Sequence, residues 1–167
     1  MESKNLDDTV KKITRLILTN QQRMIREEDL RNICDDSLDF NQMINDVYLN
    51  LKNVGFELIT TKFLDQKYFI LTTEGKDDNI TPSQYGSLAL ILALSKEIDE
   101  NIKISDLKEM FSNVWGSDIE YLIEYDYLRK IQIENSEIIK VTPLGKAIMK
   151  NIIQNLQLKN LIDFFKQ

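Results

Sequence analysis

The chain has 167 residues, a hydrophobic fraction of 43% and a charged fraction of 29%, the values of a folded protein of one domain or two small ones. Its formal net charge of −6, from 21 Lys and Arg against 27 Asp and Glu, argues against a protein held on nucleic acid mainly through phosphates. No histidine is present and Cys34 is the one cysteine, which removes the commonest general base, any imidazole or thiolate metal site and any intramolecular disulfide.

In chain order, a first helix is expected from about Asp8 to Thr19, with Val10, Ile13, Ile17 and Leu18 on one face. Met24-Ile25 is a short extended segment leading into a second helix, Glu27–Cys34, whose acidic start suits the positive end of the helix dipole. Asp39 as N-cap with Gln42 as its reciprocal partner opens a third helix through Val54. Phe40, Met43, Ile44, Val47, Leu51 and Val54 keep one apolar stripe on it. Gly55 stops that helix. Two strands follow, Phe56–Thr61 and Tyr68–Thr73, with Leu64-Asp65-Gln66 as the hairpin tip. Helix, short strand, helix, helix, hairpin is the order of a winged helix.

The order then repeats. Glu74–Ile80 is polar and is taken as a linker. Thr81-Pro82, with Gln84 three residues on, is a strong helix start, and Leu88–Leu94 within that helix is apolar all round and should be deeply buried. Ile102–Ile104 is a short strand, Ser105 caps a helix with Leu107, Met110 and Phe111, and Ser117 starts another through Tyr127. Leu128–Glu134 and Ile138–Val141 flank a turn at Asn135-Ser136. Thr142-Pro143 opens a last helix through Ile148, Ile152, Ile153 and Leu156. The fold class is therefore α+β and mostly helical: two tandem winged-helix units with small β-hairpin wings, over 1–75 and 76–167.

Catalytic chemistry is sparse. The five glycines (55, 75, 86, 116, 145) form no phosphate loop, and the acidic clusters Asp35-Asp36-Asp39 and Asp77-Asp78 fall in loops and at helix starts, where carboxylates cap or are solvated. The chain is read as no enzyme, with no cofactor and no metal. DNA readout would use the third helix of each unit. In the first unit that helix offers Lys52 against Asp46, with Asn41, Gln42, Asn45 and Asn50; in the second it carries Asp118, Glu120, Glu124 and Asp126 and no basic residue. Four carboxylates facing phosphates would repel them. Arg129, Lys130, Lys140, Lys146 and Lys150, around the second wing and last helix, are the candidates for weak backbone contact with DNA. Candidate partner-binding residues are the aromatic pair Tyr121 and Tyr125 and the C-terminal apolar residues Leu158, Leu161, Phe164 and Phe165.

Several short stretches, between Val10 and Leu156, resemble the MAGE homology domain. They are Met24-Ile25-Arg26-Glu27-Glu28-Asp29-Leu30, Leu51-Lys52-Asn53-Val54-Gly55-Phe56-Glu57-Leu58, Tyr68-Phe69-Ile70-Leu71, the helix Gly86–Leu94, and Asp126-Tyr127-Leu128-Arg129-Lys130-Ile131. Gly55-Phe56 reverses the family's Phe-Gly, and Val141-Thr142-Pro143-Leu144 keeps only the proline of its Trp-Gly-Pro-Arg signature. That family belongs with the kite (kleisin-interacting tandem winged-helix) proteins and includes a non-SMC-element subunit of the SMC five/six complex; the condensin-type kite branch stays open beside it. The resemblance implies a non-catalytic scaffold in an SMC-type complex for chromosome maintenance or DNA repair. Its partners would be a kleisin, a second kite subunit or the chain itself, and a RING-type subunit. The alternative is a winged-helix transcription regulator reading DNA through the first unit.

The N-terminus Met1-Glu2-Ser3-Lys4-Asn5 lacks an apolar signal stretch, and Leu88–Leu94 falls far below the roughly 20 residues that span a bilayer. The expected place is the cytoplasm and nucleoid, or the nucleus in a eukaryote, away from membranes.

Overall fold

The computed structural model describes residues 2–73 and 79–150, with side chains from residue 6 onward. The chain divides into two compact units, Met1–Lys76 and Asp77–Gln167.

The first unit begins with α1 (Glu2–Thr19), six residues earlier than the periodicity placed it. Val10, Ile13 and Ile17 are buried along one face, whereas Leu18 is exposed, one step of 100° off that stripe. β1 (Met24–Arg26) leads directly into α2 (Glu27–Arg31), which stops before Ile33 and Cys34. Cys34 is half-buried; its thiol donates to the Leu30 carbonyl at 3.0 Å, and burial raises its pKa. α3 (Phe40–Asn53) starts where Asp39 accepts from the N–H groups of Asn41 and Gln42, and Met43, Val47 and Leu51 are fully buried. Val54, placed on the apolar stripe by its spacing, is the helix C-cap and is exposed.

β2 (Phe56–Phe63) and β3 (Gln66–Thr73) form the wing, and β1 pairs antiparallel to β3 in the sheet order β1-β3-β2. Phe63 pairs with Gln66, so the tip is the two-residue turn Leu64-Asp65 rather than three residues. Both turn residues have positive φ, 49° and 61°, the demand of a type I′ turn, which Asn-Gly meets without the steric cost that Leu incurs. Replacing Leu64-Asp65 by Asn-Gly should stabilise the protein by about 1 kcal/mol, read as a higher urea midpoint.

The second unit repeats the plan. α4 (Pro82–Glu97) opens with a complete capping box, Thr81 accepting from the Gln84 N–H and the Gln84 side chain accepting from the Thr81 N–H. Ser87, Leu88, Ala89 and Ile91–Leu94 are buried, as an all-round apolar helix requires. β4 (Ile102–Lys103) is one residue shorter than expected, because Ile104 begins α5 (Ile104–Met110) and packs beneath it. Ser105 is not a cap. Its hydroxyl bonds the neighbouring Asp106, and the N-cap is Lys103, without a side-chain bond. Arg26 in the first unit has the same role and the same backbone, φ −68° and ψ 141° against −68° and 140° at Lys103.

Ser117 does not start a helix either. A π-helical turn (Trp115–Ile119) precedes α6 (Glu120–Glu124), and Ser117 lies inside that turn. α6 closes on Asp126 in the left-handed region (φ 61°), as α3 closes on Gly55 (φ 86°). β5 (Leu128–Ile133) and β6 (Ser136–Val141) make the second wing, with sheet order β4-β6-β5. The turn is Glu134-Asn135, one residue before the expected Asn135-Ser136. α7 (Pro143–Ile148) is capped by Thr142, whose hydroxyl accepts from the Gly145 N–H at 3.1 Å; Ile152, Ile153 and Leu156 lie outside the described residues. Helix, strand, two helical segments and a wing recur in both units, so the architecture is a tandem winged helix.

Glu27 ties the first wing to α2. Its carboxylate accepts from Arg31 Nε at 2.9 Å and pairs with Lys67 Nζ at 2.6 Å. Lys67 sits directly opposite Lys62 in the hairpin, so Glu27 also neutralises one member of a repelling cross-strand pair. Burial pushes the Glu27 carboxyl up, but the bonds from Lys67 and Arg31 outweigh it and hold the pKa below its ordinary 4.5. A lowered folded-state pKa contributes stability above the unfolded value that is lost as pH falls through the folded one. Acid titration of the urea midpoint should therefore fall more steeply below pH 4.5 in the native chain than in Glu27→Gln. At neutral pH that variant should lose about 1–2 kcal/mol.

Candidate functional site

Among the predicted partner-binding residues, Tyr121 on α6 and Tyr125 at its end come together as one feature. One helical turn separates them, and their rings stack with centroids 4.4 Å apart and planes 29° apart. The Tyr121 hydroxyl donates to the Asn79 carbonyl at 2.6 Å, which fixes the inner ring. The outer ring, Tyr125, is 53% exposed. Leu158, Leu161, Phe164 and Phe165 lie outside the described residues.

The carboxylates of this helical segment do not act alike. Asp118 is only 3% exposed and points into the unit, a correction to its placement on an outward acidic face. Its Oδ2 accepts from Ser83 Oγ at 2.6 Å and Ser87 Oγ at 2.8 Å, and its Oδ1 from Ser117 Oγ at 3.0 Å. Gln84 Nε2 donates to the Ser117 carbonyl at 3.0 Å beside them. The π turn is thus fastened to the first turns of α4 through one carboxylate and the hydroxyls of Ser83 and Ser87. Asp126 is also engaged, accepting three bonds from the Nε and one terminal nitrogen of Arg129 at 2.7–3.1 Å. Glu120 and Glu124 remain exposed, one turn apart, with no ion-pair partner among the described residues. The repulsive face therefore consists of two outward carboxylates, not four.

The basic residues near the second wing do not share one face. Arg129 and Lys140 sit directly opposite each other in the hairpin, while Lys130 is the next residue along and projects to the other side. Arg129 is held by Asp126, and Lys140, mostly buried, pairs with Glu100 at 3.4 Å. Lys130 is exposed; Lys146 and Lys150 are half-buried at and beyond α7. In the first unit, the exposed positions of α3 include Asn41, Gln42, Asn45, Asn50 and Lys52, with the Lys52 ammonium 5.7 Å from the Tyr48 ring centre.

A shallow groove of about 300 Å³ runs between α1 and α3, lined by Leu6, Asp7, Val10, Asp46, Leu49 and Asn50. Asp7 is paired with Lys11 at 3.2 Å. Among the described residues there is no group of three or more His, Cys, Asp or Glu placed to hold a metal ion. No helix among them is long and apolar enough to cross a membrane.

Reasoning by residue type overlooked Asp118 as an anchor. The signal was present in α4: Ser87 adjoins the apolar run Leu88–Leu94, one turn after Ser83, and a hydroxyl buried there calls for a partner.

No family model matches the chain, and no curated protein matches its sequence. Its fold is similar to that of a chain in a solved structure described as "Nse1-Nse3-Nse4 complex". The TM-score is 0.56 at 8% sequence identity, covering 89% of this chain and 75% of that one.

Proposed function

We propose that the chain is a non-catalytic, kite-like scaffold subunit of an SMC-type chromosome maintenance or repair complex. Residues 1–75 and 76–167 act as its two winged-helix domains, and together they hold a kleisin, a second kite subunit or another copy of the chain, and in the MAGE-like branch a RING-type subunit. Its place is then on the chromosome, in nucleoid or nucleus.

The observation that carries this reading is the outer face of the π turn and α6. Where a DNA-reading winged helix would present Arg and Lys to the groove, this face presents a stacked aromatic pair beside two exposed carboxylates. Such a face suits a protein partner and repels phosphate. The fold similarity to a chain of a multi-subunit assembly, the Nse1-Nse3-Nse4 complex, supports the same direction, as do the MAGE-like stretches of sequence.

A polarisation titration of the full chain on duplex DNA at about 50 mM salt tests it, since phosphate-driven binding is strongest at low salt. The scaffold reading expects no saturation below about 10 µM. Submicromolar affinity lost on charge reversal at Lys52 or Lys62 would instead make the chain a DNA-reading regulator.

A further inference from the structure

We infer that the Tyr121–Tyr125 face is a docking site for an arginine-bearing basic segment of a protein partner; this rests on the scaffold reading and specifies what the second unit grips. Tyr121 is tied to Asn79 and Tyr125 stacks on it, so binding costs little additional side-chain ordering. Glu120 and Glu124 form a second row beside the tyrosines, about 100° round the helix.

Charge complementarity selects the occupant. The protein repeatedly sets cations on its own aromatic rings: Arg31 lies 3.9 Å from the centre of Phe40, Lys67 5.6 Å from Phe69, and Lys108 5.4 Å from Trp115. Tyr125 is half-exposed beside an unpaired carboxylate, and no cation lies over it among the described residues. An arginine is the side chain that meets both demands at once. Its planar guanidinium stacks on a tyrosine face while its N–H fork bonds a carboxylate. A lysine satisfies the charge but not the stacking geometry. A nucleobase would stack equally well on the ring, but its phosphates would be driven off by Glu120 and Glu124.

The test is an amide NMR titration of the full chain with an arginine-rich peptide, with a peptide in which each arginine is replaced by lysine, and with a single-stranded oligonucleotide. Expected are shifts clustered on Glu120–Tyr125 with the arginine peptide, and affinity weakened about tenfold or more by Tyr125→Ala, by Glu124→Lys, or by the lysine peptide. Glu109→Lys, an exposed charge on α5, should change affinity by less than about twofold. Equal affinity for both peptides, stronger binding of the oligonucleotide, or shifts elsewhere on the chain would overturn the inference. The scaffold reading is tested separately: if native partners still co-purify with Tyr125→Ala at undiminished yield, this docking site is refuted and the scaffold role is not.

Discussion

Gly145→Ala should destabilise the protein by about 3 kcal/mol, far more than a glycine-to-alanine change in a helix normally would. Propensity alone favours alanine by roughly 1 kcal/mol, so the predicted sign is the reverse of the local expectation. The reason is contact. A Cβ at 145 would overlap the Tyr127 carbonyl oxygen and sit 2.9 Å from Val141 Cγ1. The first obstacle is backbone and cannot rotate away, so α7 must lift off the base of the wing. That motion breaks the seat of the helix: the Thr142 N–H and hydroxyl both donate to the Tyr127 carbonyl at 3.1 Å, and the hydroxyl also reaches the Asp126 carbonyl. Thr142 is fully buried, so carbonyls freed there find no water. The measurement is the urea midpoint at unchanged m-value; a Gly145→Ala variant as stable as the parent would show that α7 is not seated as described.

Asp118→Ala should cost about 2–4 kcal/mol, because it removes the acceptor for several hydroxyls and leaves the buried Ser87 Oγ without its partner. Asp118→Asn keeps one carbonyl oxygen and the shape, and should cost roughly half as much. A double-mutant cycle with Ser87→Ala gives the more specific reading. If the carboxylate–hydroxyl bond carries the energy, the two losses should fall short of additivity by about 1 kcal/mol or more. Additive losses would mean that the Ser87–Asp118 bond contributes nothing to joining α4 and the π turn. Amide exchange around Trp115–Ile119 should also speed up in Asp118→Ala, since the π turn loses its fastening.

The order of elements was legible because the strongest local signals coincide with the true boundaries. Thr81-Pro82 and Thr142-Pro143 are both N-caps followed by proline at the first helical position. Gly55 ends α3 with the positive φ that its lack of a Cβ makes inexpensive. Where a short strand replaces a cap, the start of α2 at Glu27 follows from the acidic run, but the start of α5 does not follow from Ser105. Arg26 and Lys103 begin helices with no side-chain bond, because a short strand feeds α2 and α5 directly, and the sheet rather than Ser105 sets the start of α5.

Asp118 shows a different failure. Leu122, four residues on, is fully buried, so position 118 borders the inward face of the helix. Residue type overrode that signal, since a carboxylate is rarely found inside without a partner. The partners were Ser83 and Ser87, more than thirty residues earlier, and a pairing over that separation is invisible to a local reading. The Tyr121–Tyr125 pair was visible from its spacing, whereas its stacking and its tie to Asn79 are products of the fold. The pairing of Arg129 with Asp126 and of Lys140 with Glu100 was likewise beyond a list of basic residues.

The most direct test of a protein-gripping role is quantitative affinity capture of the full chain from cells that express it natively, at physiological salt and after nuclease digestion. The scaffold role predicts an SMC-type ATPase and a kleisin recovered at fixed stoichiometry with the chain, undiminished by the nuclease. Recovery of neither, or a yield that collapses when nucleic acid is removed, would contradict it.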